Sequence, residues 1–207
     1  MTRHIGRENL RKRLTPHEGE AGRTTYAAGS VTIELAEETL TVRPAFGLAH
    51  EGTYETVELG PLFAALAEDH VVAALLVRLG GFAVGVFEGE RLVASKVGSR
   101  FVKGRHKKGG SSANRFRRRR DEQARALVEA AAATALQVLE PCKPRVEFAA
   151  LGGDRKAVDE TLAAQPRLAW LHERALPRFF TTGDPRQREL DHLPYDLYSA
   201  EIETTVK

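Results

Sequence analysis

The run Val71-Val-Ala-Ala-Leu-Leu-Val77, Gly80-Gly81, Phe82-Ala-Val-Gly-Val-Phe87, Glu88-Gly-Glu90, Arg91-Leu-Val-Ala-Ser-Lys-Val97 decides how this chain folds. Three stretches rich in β-formers are joined by tight, glycine-containing turns, which is the pattern of an antiparallel meander. The first stretch is apolar at every position, so it predicts a central strand covered on both faces.

Upstream, Val31-Thr-Ile-Glu-Leu35 and Thr39-Leu-Thr-Val-Arg43 alternate across a short acidic turn and predict a hairpin. Thr53 to Leu59 predicts a further strand, and Pro61 suits the first turn of a helix through about Glu68, with Leu62, Phe63 and Leu66 on one face. Downstream, the apolar pattern stops after Val102 and resumes at Phe116. A helix is predicted from around Asn114 to Arg117 as far as Leu139, with Ala124, Leu127, Val128, Ala131, Ala135, Leu136 and Val138 as its buried stripe. Arg145 to Leu151 predicts a strand, Gly152-Gly153 a turn, and Asp154 the cap of a helix from Arg155 to about Ala164. Leu168 to Leu171 is expected as a short strand, and Leu190, Leu193, Tyr195, Leu197 and Tyr198 as a last helix.

The expected fold is therefore α/β (α+β), one mixed β-sheet covered by helices, with a basic Gly-Ser loop leading into the long helix. Residues 1–29 are polar and aperiodic and are expected to be flexible. Residues 30–70 form a small β-rich region, 71–182 the principal domain, and 183–207 an extension packing on that domain.

The chain has 207 residues, 42% hydrophobic and 29% charged, enough for a real core. Its formal charge of +3 is unevenly spread: twelve of the 31 Lys and Arg lie between Arg91 and Arg120, where there is no Asp or Glu. The remainder carries 19 basic against 28 acidic residues, a net of −9, so the positive field is local and orients the protein on a polyanion. A nucleic acid is the leading partner for such a segment, with an anionic membrane or protein second.

Cys142 is the only cysteine, which excludes an intrachain disulfide and a Cys-based zinc cluster and fits a reducing cytoplasm. No apolar run approaches the ~20 residues needed to span a bilayer, and no signal-peptide core follows the N-terminal charges. The chain reads as a soluble, cytoplasmic monomer without membrane association. The six histidines other than His106 show no metal-ligand spacing, and no metal site and no cofactor is expected. A metal-dependent nuclease would need clustered carboxylates at the strand ends, and none is evident.

At the centre of the basic segment, Gly109 and Gly110 let the backbone approach a crowded ligand without a Cβ, and their N–H groups can face an anion. Lys103, Arg105, His106, Lys107, Lys108, Arg115, Arg117, Arg118, Arg119 and Arg120 are the candidate RNA-binding residues around it. Ser111 and Ser112 have no Asp/His arrangement to make either a covalent nucleophile. His106 is assigned to RNA contact rather than to general-base work, which would need a partner to hold it.

From about Val71 to Thr182 the chain resembles a known family. The resemblance is carried by the meander Leu75-Leu-Val-Arg-Leu-Gly-Gly-Phe-Ala-Val-Gly-Val-Phe87, the loop Gly104-Arg-His-Lys-Lys-Gly-Gly-Ser-Ser-Ala-Asn-Arg-Phe-Arg-Arg-Arg-Arg120 and the turn Leu151-Gly-Gly-Asp-Arg-Lys156. These look like the catalytic middle domain of archaeal and eukaryotic class I peptide release factors, and more closely its Vms-like release-factor branch with actinobacterial members. The resemblance implies a peptidyl-tRNA hydrolase of ribosome rescue and quality control. Its partners would be peptidyl-tRNA and the large ribosomal subunit, with rRNA near the peptidyl transferase centre. Gly109, Gly110, Ser111, Ser112, Ala113 and Asn114 would then surround the ester, placing water and stabilising developing charge. The family places a glutamine just after its glycines. Here Ala113 falls at that spacing, with Asn114 offering a shorter amide and Ser111 or Ser112 a hydroxyl. A non-catalytic rRNA- or ribosome-binding module using the same loop is the alternative.

Overall fold

The computed structural model describes residues 2–99 and 112–207. In chain order the elements are β1 (Thr2–Gly6), α1 (Arg7–Leu14), β2 (Ala21–Ala27), β3 (Ser30–Glu34), β4 (Glu38–Arg43), β5 (Gly52–Thr56), α2 (Gly60–Ala67), β6 (Val71–Arg78), β7 (Gly81–Glu88), β8 (Arg91–Ser99), α3 (Ser112–Leu139), β9 (Phe148–Gly153), α4 (Arg155–Ala164), α5 (Trp170–Glu173), α6 (Gln187–Leu197) and β10 (Ser199–Val206). They form two compact units, Met1–Asp69 with Pro194–Lys207, and His70–Leu193.

The first unit holds a six-stranded, wholly antiparallel sheet in the order β1-β10-β4-β3-β2-β5. Alternation puts Val31, Ile33, Leu40, Val42 and Ile202 on one face, where Leu10 and Leu14 of α1 and Leu62 and Leu66 of α2 cover them. Each large apolar side chain so buried contributes about 1.5–3 kcal/mol before the entropy of ordering is subtracted. Tyr26 is buried in the same core. Its hydroxyl donates to the Glu58 carbonyl at 2.7 Å, and burial pushes its pKa up to about 12.

Two expectations change here. Residues 1–29, read as flexible, contain β1, α1 and β2, with Leu10 and Leu14 fully buried. The strand β1 pairs with β10, so its partner is invisible to any local window. Residues 183–207, read as an extension on the 71–182 domain, end in β10, which fits between β1 and β4 of this sheet. Among the described residues there are thus two sheets where one was expected.

The second unit holds the mixed sheet, in the order β8-β7-β6-β9: the meander is antiparallel and β9 runs parallel to β6. Ala73, Leu75 and Val77 of β6 share a face with Phe82, Val84 and Val86 of β7. Leu127, Ala131, Ala135 and Leu139 of α3 pack on that face at a spacing of four residues, beside Val158 and Leu162 of α4. The opposite face is filled as well. A Cβ on Gly85 would lie 3.3 Å from Leu190 of α6, so β6 and β7 are buried along almost their whole length, as the unbroken apolar run requires.

Asp154 caps α4 as expected, accepting from the Ala157 N–H at 3.1 Å. The segment Leu168 to Leu171 is not a strand. Pro166 opens a single 3-10 turn ending at Leu168, and the short helix α5 follows, burying Trp170 and Leu171.

Candidate nucleic-acid interface

Register fixes where the described chain ends at β8. Ser99, the last residue of β8, pairs with Gly81; Gly81 pairs with Arg78; and Val77 pairs with Gly153. The end of β8, the β6–β7 turn and the end of β9 therefore lie along one edge of the sheet, and residues 100–111 connect that edge to α3.

Among its described side chains, those of α3 that enter the core lie in its second half. The first of these is Leu127, and none of the described side chains before that residue is buried. The first fifteen residues, about 22 Å of helix at 1.5 Å per residue, carry the arginines instead. Arg115, Arg118 and Arg119 are exposed, and Arg120 is partly covered, 3.9 Å from Asp121. Arg117 lies in the second turn. Exposed Arg125 continues the series one turn on, a cation that the sequence reading passed over because Asp121 and Glu122 interrupt the basic run.

Among the other expected site residues, Ser112, Ala113 and Asn114 form the first turn of α3, so the helix begins about two residues earlier than predicted. Lys103, Arg105, His106, Lys107, Lys108, Gly109, Gly110 and Ser111 lie outside the described residues.

The opposite edge of the sheet is electrically closed. Glu88 accepts from Arg145 at 2.5 Å and from Arg91 at 2.6 Å, and these two guanidinium groups hold its carboxyl below the usual range. Burial alone would raise the Glu147 carboxyl. Hydrogen bonds from His70 Nδ1 and the Val71 N–H, each 2.9 Å, outweigh that and lower it. Among the described residues no group of three or more His, Cys, Asp or Glu is arranged to hold a metal ion, and no helix is long and apolar enough to cross a membrane.

The family model described as Actinobacteria/chloroflexi VLRF1 release factor matches residues 70–203, beginning where the second unit begins. No curated protein matches the sequence. Among solved structures, an archaeal translation termination factor, aRF1, aligns at 13% identity and a TM-score of 0.45, covering 78% of this chain and 49% of its own. Dom34 of S. cerevisiae, a translation termination-like factor involved in RNA quality control pathways, aligns at 8% identity and a TM-score of 0.32, covering 94% of this chain and 64% of its own. This chain thus spans about half and somewhat under two thirds of those two proteins. The family match covers the meander, the basic segment, α3 and β9 together, and on it this chain belongs to the Actinobacteria/chloroflexi VLRF1 release factor family.

Proposed function

We propose that this protein is a peptidyl-tRNA hydrolase that frees nascent peptide from tRNA on stalled large ribosomal subunits, acting as a monomer in the cytoplasm. The observation that carries the reading is the acid-free basic segment inside the family match, entering α3 directly at Ser112. Arg115, Arg118 and Arg119 are exposed along that helix, where they can neutralise RNA phosphates.

In this reading, water adds to the ester carbonyl carbon that joins peptide to tRNA. The resulting oxyanion is met by N–H groups around Gly109 and Gly110. The bond to the ribose oxygen then breaks, and that oxygen takes up the proton the water gives away. Asn114, with Ser111 or Ser112, orients the water, and the gain comes from positioning and fixed dipoles rather than from a strong base. The flanking cations Lys103, Arg105, His106, Lys107, Lys108 and Arg115 to Arg120 hold rRNA or the tRNA acceptor end.

The test is peptide release from peptidyl-tRNA on purified large subunits. Release well above the spontaneous rate is expected, falling by about 10²-fold or more in Asn114→Ala with binding retained, a loss of the size seen when one oxyanion or positioning group is removed. The second reading, a ribosome-binding module without turnover, is favoured by Ala113 at the place of the family glutamine. Intact binding with release no faster than spontaneous would establish it.

A further inference from the structure

The sheet edge that launches the basic segment carries a second set of cations. Arg78 ends β6, and beside it β9 ends at Gly153, so Arg155 and Lys156 in the first turn of α4 follow at once. The chain returns alongside β9 through parallel bridges Ala149 to Ala175 and Gly152 to Phe180, and Gly153 donates to the Phe180 carbonyl at 2.9 Å. That return delivers Arg178 to the same edge.

Two of these arginines lie over aromatic rings. The Arg155 guanidinium lies over the Phe179 ring, 4.3 Å from its centroid, and Arg178 lies over Phe180 at 5.0 Å. For Arg155 the ring face steadies the cation without using its N–H groups, which lowers the entropy lost when an anion is later bound. Arg78 donates one N–H to the Thr182 carbonyl at 2.9 Å. Among the described residues neither Arg78 nor Arg155 forms an ion pair, whereas the cations Arg91 and Arg145 at the opposite edge both close on Glu88. Lys156 is 84% exposed, with Glu160 at 3.7 Å, a pairing worth little in water. Arg155 and Lys156 also stand where the α4 dipole disfavours cations. Local rules are most often broken at functional positions. Since Asp154 already caps the helix, the side chains are what this edge offers.

We propose that the edge formed by Arg78, Arg155, Lys156 and Arg178 binds the phosphate backbone of the RNA that the basic segment enters, as a second point of contact. The proposal rests on the reading of that segment as RNA-directed. One exposed large apolar residue at this edge, Leu79, is too little for a bilayer surface, which is why RNA is chosen over lipid.

The experiment measures binding of the full chain to large subunits carrying peptidyl-tRNA across a salt series. For R155A/K156A, affinity should fall roughly tenfold near physiological salt and the slope of log affinity against log salt should fall by about 1–2, as for two lost phosphate contacts. R155K/K156R should bind like the parent, and all variants should melt like the parent because both side chains are exposed. R118A/R119A is measured in parallel. If it weakens binding while R155A/K156A does not, the edge proposal is overturned and the reading of the basic segment survives. If only R155A/K156A weakens binding, the reading of the basic segment fails, and the edge's role as a second contact beside it is overturned with it. Loss of binding to phosphatidylserine vesicles in R155A/K156A, with subunit binding unchanged, also overturns the RNA assignment.

Discussion

β4 and β6 are both interior strands of their sheets, yet they are buried in opposite ways. Along β4 only Leu40 and Val42 are buried, and their neighbours are partly or fully exposed; along β6 six consecutive residues, Val72 to Val77, are buried. The difference lies in how many faces are covered. Helices α1 and α2 pack on one face of the first sheet, whereas α3 and α4 lie on one face of the second and Leu190 of α6 on the other. A one-sided sheet tolerates polar change at every second position, and a two-sided sheet tolerates it nowhere.

Glycines give the largest test of this contrast. Gly153 sits at φ +100°, and a Cβ there would lie 2.1 Å from the Val77 carbonyl oxygen, inside the β6–β9 pairing. Gly153→Ala should cost about 4 kcal/mol or more in denaturant unfolding, since backbone strain and backbone overlap combine. Gly29 also has positive φ, +74°, in the β2–β3 turn, but it has open space around it. Gly29→Ala should cost about 1 kcal/mol, from conformation alone. Equal losses at the two sites would break the comparison.

Next come neighbouring residues on a single strand. Leu75→Ala and Leu76→Ala point to opposite faces of β6, and each should cost about 2–5 kcal/mol. On β4, Leu40→Ala should cost as much, but Thr41→Ala less than about 1 kcal/mol. A small loss at Leu76 would mean that the second face is not a true core.

The smallest expected effects are those of pH, and they separate the two units by sign. Tyr26 in the first unit has its pKa raised from 10.0 to about 12, chiefly by burial, so it favours the folded state fully below pH 10 and loses that contribution as pH rises through about 12. Tyr26→Phe should therefore flatten the alkaline fall in melting temperature. Glu147 in the second unit is lowered from 4.5 because the His70 and Val71 hydrogen bonds outweigh its burial. Its contribution is present above pH 4.5 and fades as pH falls through the lowered value. Glu147→Gln should flatten the acid limb slightly, because the side chain is 48% exposed and solvent screens much of the interaction.

Much of the second unit, and one hairpin of the first, was legible from local pattern. The meander, the β3–β4 hairpin, α3 and the Asp154 cap all follow from periods of two or 3.6 residues and from turn chemistry, which act within about ten residues. The N-terminal strand was missed because Thr2–Gly6 has no apolar alternation of its own. The strand β10 was missed because Ser-Ala-Glu-Ile-Glu-Thr-Thr-Val has so few apolar positions that only its place between β1 and β4 makes it a strand.

By itself the sequence determined the charge of the 91–120 segment, the two-faced burial of β6 and the family to which residues 70–203 belong, since composition, periodicity and motif are properties of neighbours along the chain. Tertiary structure alone decided that the two ends of the chain close one sheet. It also decided that, among the described side chains of α3, those entering the core start at Leu127, and that Arg78, Arg155, Lys156 and Arg178 meet at one edge. Those outcomes depend on strand register and helix packing between residues tens to hundreds of positions apart, and no local pattern encodes them.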